Sequence, residues 1–223
     1  MKRLLGYLSL AFLGACSSDK QNDTSTWPTF GHDVSNNKFS SLTDLNTTNV
    51  TQLREVWRFE DTTEGGGVYF NPVMMDNRVI GLMPSNKLVA LDAGTGKLLW
   101  EFVPDSSVIS NWSKGMTYHP GNPDRILLIS GDKLYAINAE NGTVFKDFGK
   151  NGRVDFYEGL EVPDSMRTRV AVSSNAPGVV YNDLFIVGCK VPDELPSTPG
   201  DIRAIMELTR KKLLNDWPHV YRL

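Results

Sequence analysis

Ala90-Leu91-Asp92-Ala93-Gly94-Thr95-Gly96-Lys97-Leu98-Leu99-Trp100 is the stretch on which the fold turns. An apolar strand ends at Asp92, whose carboxylate can accept bonds from the amides of the following turn. A glycine in that turn can take a positive φ, and the next strand carries a tryptophan able to wedge between stacked sheets. Upstream, Asn77-Arg78-Val79-Ile80-Gly81-Leu82-Met83 and Lys87-Leu88-Val89 read as further short strands joined by tight turns. Downstream, Arg125–Ser130, Gly131-Asp132, Lys133–Asn138 and Ala139-Glu140-Asn141-Gly142 repeat the theme. Ala90 and Ala136, Asp92 and Asn138, and Gly96 and Gly142 are each 46 residues apart, within the range of about 40 to 50 per propeller blade. One small antiparallel sheet cannot bury both of its faces, so it must stack on a neighbour, and a β-propeller is expected.

Composition agrees. Of 223 residues, 40% are apolar and 22% charged, with 19 Gly, 12 Pro and 5 Trp, which predicts an all-β globule of short strands and many turns. Lys plus Arg number 23 against 26 Asp plus Glu, a net charge of −3; no basic field is available for nucleic acid, and none is expected as a partner.

Residues 1–15 read as a lipoprotein signal peptide. Lys2 and Arg3 precede a mostly apolar run, Leu4 to Leu13, too short to span a bilayer. Leu13-Gly14-Ala15-Cys16 resembles the bacterial lipobox, which implies cleavage before Cys16 and acylation of its thiol. The competing reading is an ordinary signal peptide with a chance cysteine. Residues 16–26 are polar and read as a flexible tether. The resemblance places the protein in the cell envelope, lipid-anchored to a membrane and facing the periplasm or outer surface of a bacterium. Cys189, left without an intrachain partner and set in the apolar run Phe185-Ile186-Val187-Gly188-Cys189, is expected to be buried and inert.

The 90–100 stretch has the form A-x-D-x-x-T-G-x-x-x-W and resembles the tryptophan-docking motif of the pyrroloquinoline quinone (PQQ) repeat. The second copy departs from it at Asn138, Asn141 and Lys146. Trp27-Pro28-Thr29-Phe30-Gly31, Asn37–Leu42 and Asn49–Trp57 resemble the opening of quinone-dependent dehydrogenases, and Pro199–Ala204 the approach to a later docking motif. Lys114-Gly115-Met116-Thr117-Tyr118-His119 is similar to the Arg-Gly-Val-Ser-Tyr-His segment of membrane-bound quinoprotein glucose dehydrogenases, and Phe148–Asp155 fits the same branch. There is no adjacent Cys-Cys pair, and no Cys-x-x-Cys-His for an attached haem.

The resemblance implies an all-β, eight-bladed quinoprotein β-propeller, of which about three blades are present over residues 27–204. It implies a PQQ-dependent dehydrogenase, glucose dehydrogenase-like, that oxidises the hydroxyl of a sugar or alcohol substrate and passes electrons to a quinone or cytochrome acceptor. Pyrroloquinoline quinone and calcium are the implied cofactors. His119 reads as a cofactor-side or substrate-side group, or else as an exposed loop histidine before Pro120. Lys114 stands where the family has Arg and can meet a quinone carboxylate, without the bidentate geometry. Asn71 lines the funnel, or is simply a turn residue before Pro72. No catalytic base or metal ligand is identified. The alternative is a non-enzymatic lipoprotein propeller scaffold of the outer-membrane assembly type, which the repeats alone would satisfy.

Residues 205–223 leave the family pattern. Ile205, Leu208 and Leu213 with basic residues between them are closer to an amphipathic helix than to a strand. The expectation is the N-terminal part of a longer dehydrogenase whose reading frame shifts near residue 205. The catalytic base and calcium ligands then fall in the missing part, and the fragment is inactive alone.

Overall fold

A computed structural model describes residues 26–33, 35–61, 69–105, 114–167, 169–182, 184–198, 200–206 and 220–222. Cys16, the signal peptide, nearly all of the tether and residues 207–219 of the tail lie outside the described residues. Among those described, no helix is long and apolar enough to cross a membrane.

Three four-stranded antiparallel sheets form, each meandering in sequence order. Blade 1 is β1 (Val73–Met75), β2 (Arg78–Leu82), β3 (Leu88–Asp92) and β4 (Leu98–Phe102). Blade 2 is β5 (Thr117–His119), β6 (Arg125–Ser130), β7 (Lys133–Asn138) and β8 (Arg153–Asp155). Blade 3 is β9 (Val179–Tyr181), β10 (Leu184–Gly188), β11 (Ile202–Met206) and β12 (Val220–Arg222).

The apolar runs of blade 2 follow from burial on both faces. Strand side chains alternate, and Ile126, Leu128, Tyr135 and Ile137 enter one core with Ile80, Leu88 and Ala90 of blade 1. Leu127, Ile129, Leu134 and Ala136 point the other way, into a core shared with Phe185, Val187 and Ile205 of blade 3. A strand covered on both sides favours apolar residues along both faces.

The docking turns share their backbone frame and differ in the side-chain bonds that close it. Asp92 Oδ1 accepts from the Thr95 amide at 2.8 Å and from its hydroxyl at 2.7 Å, bonds that hold the carboxyl below its usual range. Asn138 Oδ1 accepts from the Glu140 amide at 2.8 Å and from the Asn141 amide, in the place of Thr95, at 3.3 Å. The Gly96 and Gly142 amides each donate back to the residue that opens the turn, at 2.8 and 2.9 Å, and the two glycines have φ +69° and +75°. Trp100 then crosses to blade 2: its indole N–H donates to the Ala139 carbonyl at 3.2 Å. The ring lies so close that a Cβ on Gly142 would come within 2.7 Å of it.

The structure differs from the sequence in three places. With Lys146 in the tryptophan position, Val144 makes only an isolated bridge to Ile137, and the fourth strand forms later, at Arg153–Asp155, after Phe148 has been buried. The strand β11 runs through Ile205 and Met206, into the stretch expected to read closer to a helix, because Ile205 faces Phe185 in register and is buried in the second core. Cys189 sits just beyond β10 and is half-buried rather than buried; desolvation, more than any other cause, raises its thiol pKa.

Candidate functional site

Each inner strand is preceded by a polar residue, and these residues meet although they are far apart in sequence. Asn71 leads into β1, Lys114 into β5 and Asn175 into β9. The Asn71 amide and its side-chain Nδ2 both donate to the Lys114 carbonyl, at 3.2 and 3.0 Å. The Lys114 amide donates to the Asn175 carbonyl at 3.0 Å. A backbone rung thus joins the heads of all three blades. Gly115, next in line, is buried, and a Cβ there would sit 3.6 Å from Pro177 and 3.8 Å from the Asn71 carbonyl. Lys114 itself is exposed, and among the described residues no carboxylate pairs with its ammonium.

His119 is placed elsewhere. It closes β5, five positions beyond Lys114. There it lines a cavity of about 670 Å³ together with Thr117, Pro177, Val180, His32 and Asp33. Thr117 anchors the wall by donating its hydroxyl to the Pro177 carbonyl at 2.8 Å. Next to it, Tyr118 donates to Asp124 Oδ2 at 2.5 Å; desolvation first, then that carboxylate, raises its phenol pKa. Asn71 borders a second, smaller cavity of about 410 Å³ with Trp27 and Lys38. The structure therefore brings Asn71 and Lys114 together and places His119 in the wall of the larger cavity. It adds two groups that the sequence does not single out: Asn175, whose role is main-chain, and His32, whose Nδ1 is buried without a hydrogen-bond partner and 4.0 Å from Asp33. His32 has φ +76° in a turn where its amide donates to the Thr29 carbonyl at 3.1 Å.

Chemically, the rung offers one exposed cation held by its own main chain at the inner edge of blade 2. That suits a ligand carboxylate. Among the described residues no three His, Cys, Asp or Glu side chains converge.

A stack of four-stranded blades locked by tryptophan on glycine, with polar groups gathered at the inner-strand heads, defines a β-propeller of the repeat type that the 90–100 motif resembles. Residues 27–209 match the family described as "PQQ: Glucose/ethanol/alcohol dehydrogenase, beta-propeller domain", and the chain belongs to that family. It is 30% identical over 219 residues to the quinate/shikimate dehydrogenase (quinone) of Acinetobacter baylyi, covering 83% of this chain and 27% of the relative. It is 25% identical over 203 residues to the quinoprotein glucose dehydrogenase of Escherichia coli, covering 79% and 25%. The crystal structure of the quinohemoprotein alcohol dehydrogenase from Comamonas testosteroni shares the fold, with a TM-score of 0.61 at 22% identity, over 82% of this chain and 26% of that one. The chain spans about a quarter of the length of these relatives.

Proposed function

We propose that this chain supplies part of the cofactor-side wall of a PQQ-dependent dehydrogenase that oxidises a hydroxyl of a sugar or alcohol to a carbonyl or lactone. The family match supports the reaction class, and the observation that carries the site is the Asn71–Lys114–Asn175 rung with its exposed cation. The quinone, when bound, supplies the two-electron acceptor. Lys114 would hold one of its carboxylates as a point charge, and Asn71 would fix the Lys114 backbone through the carbonyl that it grips twice. His119, in the neighbouring cavity, would serve as a substrate-side polar group. Calcium ligands and the catalytic base are assigned to the rest of the propeller, so the chain alone does not turn over. Electrons pass to a quinone or cytochrome acceptor, and Cys16 anchors the protein by lipid in the bacterial cell envelope.

The test is titration of the purified chain with PQQ, read by quenching of its tryptophan fluorescence. A charge-assisted contact contributes about 1.5–3 kcal/mol, so Lys114→Ala should weaken binding by about 10- to 100-fold while Lys114→Arg retains it. Equal affinity of the wild type and Lys114→Ala removes Lys114 from the site. Dye reduction with glucose by the chain alone, PQQ added, would show that nothing essential lies elsewhere.

A further inference from the structure

A second lysine stands at the head of blade 3, and the main chain ties it to the same segment that holds Lys114. Lys190 lies two positions beyond the end of β10. Its amide donates to the Ser173 carbonyl at 2.7 Å, and its carbonyl accepts from the Ser173 amide at 3.0 Å, so the two residues form one antiparallel rung. Two positions further on, the Asn175 carbonyl accepts from the Lys114 amide at 3.0 Å. Segment 173–175 therefore lies between the two lysines, and its ends are at most about 7 Å apart. Its middle residue, Ser174, is buried, with its hydroxyl closed on the Ala176 carbonyl at 3.3 Å and the Ala176 amide at 3.2 Å. That side chain fixes the segment to the body of the protein.

Residues that exchange both backbone bonds across an antiparallel pair carry their side chains on one face of the ribbon. Lys190 thus leaves on the side of Ser173, opposite to the buried Ser174, and it is exposed, as Lys114 is. No ion pair among the described residues involves either lysine. Two ammoniums tethered to one three-residue segment repel each other unless an anion reaches both. The occupant that answers this arrangement carries carboxylates at separate positions on a rigid body, and a planar, tricarboxylated quinone has that form.

We infer that Lys190 is a second cofactor-binding residue, holding a quinone carboxylate other than the one that Lys114 holds. The inference rests on the reading that the inner-strand heads of this chain face PQQ. It places the second cation on blade 3, across 173–175 from Lys114, so that two successive blades grip the cofactor. One lysine on a flexible stem sets no direction for the ring; two, each fixed at its backbone, set one.

The experiment titrates the purified chain with PQQ and with its trimethyl ester, which keeps the rings and loses the carboxylate charges, each followed by quenching of tryptophan fluorescence. Lys190→Ala should weaken PQQ binding by about 10-fold and leave ester binding unchanged. Its thermal unfolding midpoint should not move, because the main-chain rung to Ser173 remains. Lys190→Arg should retain the affinity for PQQ. Combining Lys114→Ala with Lys190→Ala should weaken binding by the product of the single effects, since separate carboxylates lose their partners. If Lys114→Ala weakens binding and Lys190→Ala does not, the inference falls while the Lys114 reading stands. A double variant no weaker than either single one means that both lysines meet one carboxylate, and equal losses for PQQ and its ester mean that Lys190 acts through the fold; either result overturns the inference. A wild type that shows no saturable PQQ binding overturns the Lys114 reading and this inference together.

Discussion

Gly142 shows how much one missing side chain can matter. Its φ of +75° disfavours any Cβ, and the added carbon would lie 2.7 Å from the buried Trp100 ring. Gly159 shares the backbone strain, with φ +73°, but nothing lies within 4 Å of a Cβ there. The pair separates the two costs. Gly159→Ala should cost about 1 kcal/mol from the left-handed backbone alone, and Gly142→Ala about 3 kcal/mol once the clash is added. Gly96→Ala should fall between them, because Trp57 is half-buried and has room to yield. Urea unfolding followed by tryptophan fluorescence gives all three values; equal midpoints for Gly142→Ala and Gly159→Ala would show that the tryptophan rung holds nothing.

At the scale of elements, the end of β4 is tied to β7 and β8 by a single carboxylate. Asp105 accepts from the Tyr135 hydroxyl and from Arg153. Desolvation, with a smaller effect from the Asp132 charge, pushes the Tyr135 phenol up to about 12, from an ordinary value of 10.0. The folded state therefore holds this proton more tightly than the unfolded chain does. The stability it contributes is fully present below about pH 10 and is lost as the pH rises from there toward 12. In urea midpoints measured from pH 9 to 12, the gap between the wild type and Tyr135→Phe should narrow over that window; a constant gap would mean that the phenol's environment is unchanged on folding.

Which elements were legible follows from the same physics. Strands β2, β3, β4, β6 and β7 can be read directly, because each carries a run of apolar residues next to a turn rich in Asp, Asn or Gly. The strand β8 cannot: three residues long and displaced by the loss of tryptophan at Lys146, it is set by the burial of Phe148 and the register Leu134 with Val154. The end of β11 is missed for a similar reason, since Ile205 is a strand residue only because Phe185 lies opposite. At the candidate site, resemblance alone singles out Asn71 and Lys114. Their contact is a pair of bonds to the Lys114 carbonyl, from the Asn71 amide and from its side chain, across 43 residues, which local pattern does not encode. The cavity that His119 lines is built with Pro177 and Val180 of a later blade, which local pattern does not show.

Across the whole molecule, stability should follow position in the stack. A blade that touches only its neighbours is held by its own contacts plus one interface term per covered face. Blade 2 contributes to both cores, and Ile126, Leu127, Leu128 and Leu134 are each 0% exposed. Blade 3 has one core behind it, and on its other side Val179, Tyr181 and Ile202 are 58%, 66% and 53% exposed. Blade 1 lies between, with Trp57 and Asp61 seated on its open side. Native-state hydrogen exchange reports opening free energies segment by segment. The amides of β6 and β7 should exchange slowest, those of β2 and β3 next, and those of β9 and β10 fastest, with the first and last groups separated by at least 10-fold. Trp57→Ala should speed exchange in β2 and β3 and leave β10 unchanged, because its contacts end at blade 1. Uniform exchange across the three blades would mean that the chain opens as one cooperative unit, and the additive picture of stacked blades would then be wrong for this protein.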